Sequence, residues 1–178
     1  MRTVLILGCG YVGRAVGLHE RAQGNSVLAV TRNEEMADQL RSAGMDVFVG
    51  NVHETAWYAF AENVDWSLNC VSAATPNLEG YRLSYVDGNR SFTDWMSRSG
   101  FSGSAIYTSS VSVYPDSGGG WIEEKDARSS SERSEVILES ERVFLESNDL
   151  AAKTVLRLGG IYGPDRSFLA NRIAKADG

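Results

Sequence analysis

The 178-residue sequence has only two cysteines, three prolines and two histidines, and no long apolar run. Cys9 and Cys70 cannot build a disulfide framework, and no pair-of-pairs spacing suggests a metal. Both read as small buried hydrophobes in a reducing compartment. A basic excess is also missing: 17 lysines and arginines stand against 23 acids, giving a net charge of -6. That balance disfavours nucleic acid and anionic membranes as partners, because both reward a positive surface. No stretch approaches a membrane span, and the apolar run after Met1-Arg2 is too short for a signal peptide core. The expected location is the cytoplasm. The length suits one domain, residues 1–178, with a substantial core.

What the chain does have is 18 glycines and a series of short hydrophobic runs. The runs are Thr3–Leu7, Ser26–Val30, Asp46–Val49, Trp66–Val71, Ser104–Thr108 and Lys153–Leu158. Val4-Leu5-Ile6-Leu7 is continuously apolar, as strands buried on both faces are. Helical patterns fill the gaps: 12–23 ending at Gly24, 34–42 ending at Gly44, 79–99 ending at Gly100, and 131–147. Gly88 interrupts the third, and Ser129 with Glu132 suggests a capping box for the fourth. Ser117–Gly120 and Ala127–Ser134 read as loops at the C-terminal edge of the sheet. The alternation predicts a doubly wound α/β Rossmann fold: a parallel sheet of about six strands, order 3-2-1-4-5-6, with helices on both faces. A ligand would lie across the C-terminal ends of strands one and four.

Gly8-Cys9-Gly10-Tyr11-Val12-Gly13 follows the first strand and opens the first helix. In the G-x-G-x-x-G pattern the first glycine permits a tight turn. The second lets the backbone approach a diphosphate, and the third lets helix pack on strand. Amides from Tyr11 to Arg14 would face the anion with the positive end of the helix dipole. The expected ligand is therefore a nicotinamide dinucleotide. At the end of strand two, where an acid would receive the ribose hydroxyls of NAD, the chain has Thr31-Arg32-Asn33. A guanidinium there favours the 2′-phosphate of NADP, with Thr31 as a further donor and Arg14 within reach; NAD is the alternative. Asn51 is placed to meet the adenine edge, and Ala73 and Ala74 follow strand four beside the cofactor. His19 and His53 have no matching partners and read as structural or surface residues.

Three further segments carry a family likeness. Tyr107-Thr108-Ser109-Ser110-Val111-Ser112-Val113-Tyr114 resembles the strand-five signature of the extended and atypical short-chain dehydrogenase/reductase superfamily. Arg157-Leu158-Gly159-Gly160-Ile161-Tyr162-Gly163-Pro164 resembles that group's segment after strand six, and Tyr81–Gly88 its fourth helix. With the glycine loop, these segments make the chain similar to the NAD(P)-dependent epimerase/dehydratase family, in particular its nucleoside-diphosphate-sugar epimerase-like members. The resemblance implies an oxidoreductase or epimerase acting on a sugar nucleotide or another small hydroxyl or carbonyl compound. A strand-five serine, here Ser110 with Ser109 beside it, would polarise the reacting oxygen. By the same analogy, helices 79–99 and 131–147 would form a homodimer face.

The chain departs from that pattern in three ways. None of its seven tyrosines has a lysine four residues on. Registered on its later residues, the last helix puts Arg133 where the family has tyrosine and Ile137 where it has lysine; Tyr85 stands where the family has an asparagine. Arginine does not exchange protons near neutrality, and isoleucine cannot hold a ribose hydroxyl. Finally, the C-terminal substrate-binding part of the family is expected to be absent or truncated. Three readings follow: Tyr114 serves as a substitute acid, hydride transfer proceeds with Ser110 and water alone, or NADP(H) is held without turnover by a sensor or scaffold module. In that last case Arg133 would clamp a phosphate.

Overall fold

Val4, Leu5, Ile6 and Leu7 are all fully buried, which places β1 (Thr3–Leu7) at the centre of the molecule. Its neighbours are β2 (Ser26–Thr31) and β4 (Trp66–Asn69), with β3 (Asp46–Val49) outside β2, and β5 (Ser104–Ser110) then β6 (Ala152–Leu158) outside β4. All five pairings are parallel, and the order is β3-β2-β1-β4-β5-β6, as the sequence pattern predicts. The computed structural model describes residues 1–164, 166 and 167. The stretch 168–178, near which the expectation of a shortened C-terminal part arises, lies outside the described residues.

Period-two alternation gives the sheet two apolar faces. Val4, Ile6, Val27, Ala29 and Leu68 join Leu40 of α2 (Glu34–Ser42) and Val16 of α1 (Tyr11–Ala22) on one face. Leu5, Leu7, Val30 and Tyr107 meet Phe92, Trp95 and Met96 of α4 (Gly88–Ser99) and Phe144 of α5 (Glu132–Glu146) on the other. The aromatic layer is dense: Phe144 lies 5.8 Å from Phe92 and 5.7 Å from Tyr107, centroid to centroid. A buried polar ladder runs through it. Asn69 Nδ2 donates to Asn89 Oδ1 at 2.7 Å, Asn89 Nδ2 donates to the Ser140 carbonyl at 3.0 Å, and the Tyr107 and Ser140 hydroxyls share a 2.8 Å bond. Each buried amide thereby finds a partner and fixes α4 and α5 against β4 and β5.

Several sequence expectations need adjustment. β4 ends at Asn69 rather than Val71, while β5 runs two residues further, to Ser110. The helix expected over 79–99 is composite: a short α3 (Leu78–Tyr81), a π-helical stretch Arg82–Asp87, then α4. The irregularity therefore precedes Gly88 rather than falling on it. The wider π turn aims two successive side chains at the loop after β4: Ser84 Oγ accepts from Ala74 N at 2.9 Å and Tyr85 Oη from Ala73 N at 3.3 Å. The cap of α5 is Ser131 with Ser134, not Ser129 with Glu132, because those two hydroxyls exchange bonds with each other's backbone amides. The 127–134 loop accordingly ends at Ser131.

Phe144→Ala should remove about 3–5 kcal/mol of unfolding free energy, since the flanking rings cannot collapse into the void. Urea denaturation followed by tryptophan fluorescence reads this directly.

Candidate functional site

The turn between β1 and α1 is set by how little room it has. Gly8 adopts φ +75, and a Cβ on it would meet the β4-side backbone at Val71 Cα, 2.5 Å away. At Gly13 a Cβ would meet Ile6 Cγ2 and Cys70 Sγ at 2.9 Å, so this glycine lets α1 lie on the sheet. At Gly10 a Cβ would meet nothing nearer than 3.9 Å. Gly10 therefore answers to no protein neighbour; it keeps a surface of the cleft open. Gly10 is also the N-cap of α1, with no side chain capping the helix and no acid in its first turn. Among the described residues the Tyr11 and Val12 amides are the first-turn donors left for a ligand, since Arg14 N–H donates to Gly10 O and Gly13 N–H points at Cys70 Sγ.

The cleft has two adjoining hollows that share Gly8, Gly10, Val71 and Ser72. The first, of about 250 Å³, lies over β2 and β3 and is lined by Thr31, Arg32, Asn51 and Ala74. Within it Thr31 Oγ1 accepts from Asn33 N at 3.3 Å, and Asn33 caps α2 by accepting from Met36 N at 2.8 Å. Arg32 is exposed and donates to Ala73 O at 3.3 Å, which lays its guanidinium across the mouth. Asn51 lines the hollow with its Nδ2 donating to Glu54 Oε1 at 2.8 Å. His53, a plain loop residue by sequence, lines this hollow as well. The Ala73 and Ala74 amides are already taken by Tyr85 and Ser84; Ala74 lines the hollow as a wall rather than a donor, whereas Ala73, expected there as well, lines neither hollow.

The second hollow, of about 280 Å³, lies over β4 and β5. Ser109, Ser110, Tyr85, Ile137 and Arg166 line it together with Tyr11. Ser110 Oγ accepts from Ser112 N at 3.1 Å, holding the hydroxyl in a short turn and leaving its proton to donate. Tyr85 Oη accepts from Ala73, so its own O–H is likewise available; burial raises its pKa above the ordinary phenol value, which keeps that proton on at neutral pH. Arg133 donates to Pro76 O and lies over the Tyr81 ring, 5.2 Å from its centroid. It does not line either hollow.

Ser109 and Tyr114 belong to a different arrangement. Ser109 donates to Glu141 Oε1. The Glu141 carboxylate is gripped by Arg157 through Nε at 3.0 Å and Nη2 at 2.7 Å, and Arg157 Nη1 donates to Tyr114 Oη at 2.9 Å. The guanidinium lies 5.1 Å from the Tyr114 ring centroid and also holds the Glu124 carbonyl. Tyr114 faces a separate shallow groove with Pro115 and Ile122, so the structure does not bring it into the cleft with Ser110. Sequence reasoning missed Glu141 and Arg157. The one signal for Glu141 was its place on the buried stripe of α5, between Ile137 and Phe144.

The cysteines behave as expected of buried hydrophobes. Burial pushes the Cys9 thiol up to about 12, and burial beside Cys9 raises Cys70 as well. Both stay protonated and poorly nucleophilic at neutral pH. Among the described residues, no group of His, Cys, Asp and Glu is placed to hold a metal, and no helix is long and apolar enough to cross a membrane.

A parallel sheet with a glycine-lined crevice where the strand order reverses defines the Rossmann class. The TrkA-N domain family model matches residues 4–77, from β1 to the loop before α3. MoeE5, solved in complex with UDP-glucuronic acid and NAD, shares the fold at a TM-score of 0.80 and 22% identity, over 98% of this chain and 60% of that one. WbmG of Bordetella bronchiseptica, solved with NAD and UDP, gives 0.75 and 18%, over 90% of this chain and 54% of that one. ADP-L-glycero-D-manno-heptose-6-epimerase of Helicobacter pylori gives 0.75 and 18%, over 94% and 57%. The chain thus spans little more than half the length of these structures. No curated protein sequence matches it. These likenesses show the fold.

Glu141→Ala should cost about 3 kcal/mol by stranding Arg157 between β6 and α5, while the paired change Glu141→Leu with Arg157→Met should cost less than either single change. Chemical denaturation of Glu141→Ala, Glu141→Leu, Arg157→Met and the double variant checks the order.

Proposed function

We propose that this chain binds a nicotinamide dinucleotide, with NADP preferred over NAD, and uses it on a small hydroxyl- or carbonyl-bearing compound such as a nucleotide sugar. The observation that carries the reading is one of charge. In a chain of net charge -6, no carboxylate is among the described residues lining either hollow, and the charged side chains there are Arg32 and Arg166. An acidic protein that keeps its acids out of one crevice is suited to a polyanion.

The residues present fit the cofactor. The open Cα surface of Gly10 and the Tyr11 and Val12 amides suit a diphosphate. Thr31, Arg32 and Asn51 suit the adenosine half, with Arg32 at the 2′ position. When bound, the nicotinamide would supply hydride exchange in the second hollow. There Ser110 would donate to the substrate oxygen, and Tyr85 would hold a proton beside it, a part the sequence pattern gave to Tyr114. Ile137 would close the apolar side and exclude water.

A second reading has its own support. Arg133 and Ile137 replace the acid/base pair that the family resemblance implies, and Arg133 is tied to Pro76 and Tyr81. A catalytically silent NADP(H)-binding module, serving as a sensor or scaffold, fits that substitution.

Arg32→Glu should weaken NADPH binding at least tenfold, about 1.4 kcal/mol, and leave NADH nearly unchanged by calorimetry. An equal loss for both would remove the 2′-phosphate assignment. With a panel of carbonyl compounds, Ser110→Ala should slow NADPH oxidation by about a hundredfold or more. Tight NADPH binding by the unaltered protein, with no turnover across the panel, would decide for the silent module.

A further inference from the structure

Of the two charged side chains among the described residues that line the cleft, Arg32 stands in the hollow assigned above to the adenosine half, and Arg166 has as yet no assigned part. Arg166 comes from the segment after β6, far from the glycine loop in sequence. It lines the second hollow together with Gly8, Gly10, Tyr11 and Val12, the residues that build the start of α1.

The segment is seated there by specific contacts. Tyr11 Oη donates to Pro164 O at 3.0 Å. Gly163 fits because a Cβ on it would run into the Tyr11 hydroxyl. Gly163 N–H donates to Arg166 O at 3.3 Å and Arg166 N–H returns to Gly163 O at 3.0 Å, closing a tight turn. The Arg166 guanidinium then lies 5.2 Å from the centroid of the Tyr11 ring. A guanidinium over an aromatic ring keeps its N–H groups in its own plane, directed outward at the ring's edge. Among the described residues it has no carboxylate partner. The ring beneath it belongs to the first residue of α1, whose amide is one of the two donors left for a ligand.

We propose that Arg166 is a diphosphate ligand that reaches the dinucleotide beside the glycine loop, with Tyr11 as its platform. The proposal rests on the cofactor reading above and adds to it the residue that completes the anion site. Amides and helix dipole would hold the diphosphate, joined by a charge-assisted fork. The two arginines would then divide the work: Arg32 reads the 2′-phosphate and distinguishes the cofactors, whereas Arg166 reads what NADP and NAD share.

That division gives the test. By calorimetry on the full chain, Arg166→Gln should weaken NADPH, NADH and ADP-ribose by a similar factor of about ten or more. Adenosine 2′-monophosphate, which has no diphosphate, should bind as before. Arg166→Lys should recover part of the loss, and Tyr11→Leu, which removes the platform but keeps the amide, should reproduce most of it. Thermal melts of the variants without ligand should match the unaltered protein for Arg166→Gln, because the side chain is exposed. Unchanged dinucleotide affinity in Arg166→Gln would overturn the proposal while leaving the cofactor reading intact. A loss seen only for UDP added to the NADPH-saturated protein would also overturn it, by assigning the arginine to the substrate's diphosphate. Failure of the unaltered protein to bind either dinucleotide would instead remove the cofactor reading itself.

Discussion

The contact on which this molecule turns is the approach of α1 to the ends of β1 and β4. Two hydrogen atoms, at Gly8 and Gly13, occupy places where a methyl group would press on Val71, Ile6 and Cys70. Because the helix can come that close, its first amides stand at the mouth of the crevice instead of above it. Because β1 is fully buried from Val4 to Leu7, the position of that turn is tied to a well-protected strand of the sheet. The rest of the cleft is arranged around this fixed point: β2 brings Arg32, β5 brings Ser110, and the chain after β6 returns to rest on Tyr11.

The distribution of charge is the second organising feature. Acids are plentiful on the outer helices, where Glu139 answers Arg82 and Arg90, and Glu135 answers Arg142. Exposed pairs of this kind add little stability, so their value is in keeping like charges apart and the surface solvated. Among the described residues of the second half of the chain, the deeply buried carboxylate that meets an arginine, Glu141, is neutralised by Arg157 before it can project a negative field into the cleft. Ser109 is drawn into that pair, which leaves Ser110 as the hydroxyl at the end of β5 presented to the hollow with none of its hydrogen committed to protein.

What could be read from the sequence was what depends on short-range rules. The glycine spacing, the continuous apolar strand Val4–Leu7 and the glycine stops gave the strand order and most element ends to within two residues. Arg32 was legible because its place follows from counting to the end of β2. The parts that escaped depend on residues distant along the chain. Glu141 and Arg157 are sixteen positions apart on a helix and a strand, and neither carries a local mark of pairing. Tyr114 lies close to Ser110 in sequence, but the short turn Val111–Val113 sends it to the other side of the strand end, where Arg157 collects it. The π turn at Arg82–Asp87 has no sequence signature; it is visible only through what it lets Ser84 and Tyr85 reach.

Among the described residues β6 pairs with one neighbour, and alternate residues on it, among them Leu156, are exposed. It is nevertheless the element from which Arg157 reaches across to α5 and Tyr114, and from which the Gly163–Arg166 turn departs. Edge strands open at lower free energy than central ones. Partial release of this margin would therefore unlatch one bank of the crevice while the glycine turn on the opposite bank stayed in register. A ligand spanning both banks would draw part of its grip from an edge of the sheet, so its residence time and the protection of β6 amides against solvent exchange should rise and fall together.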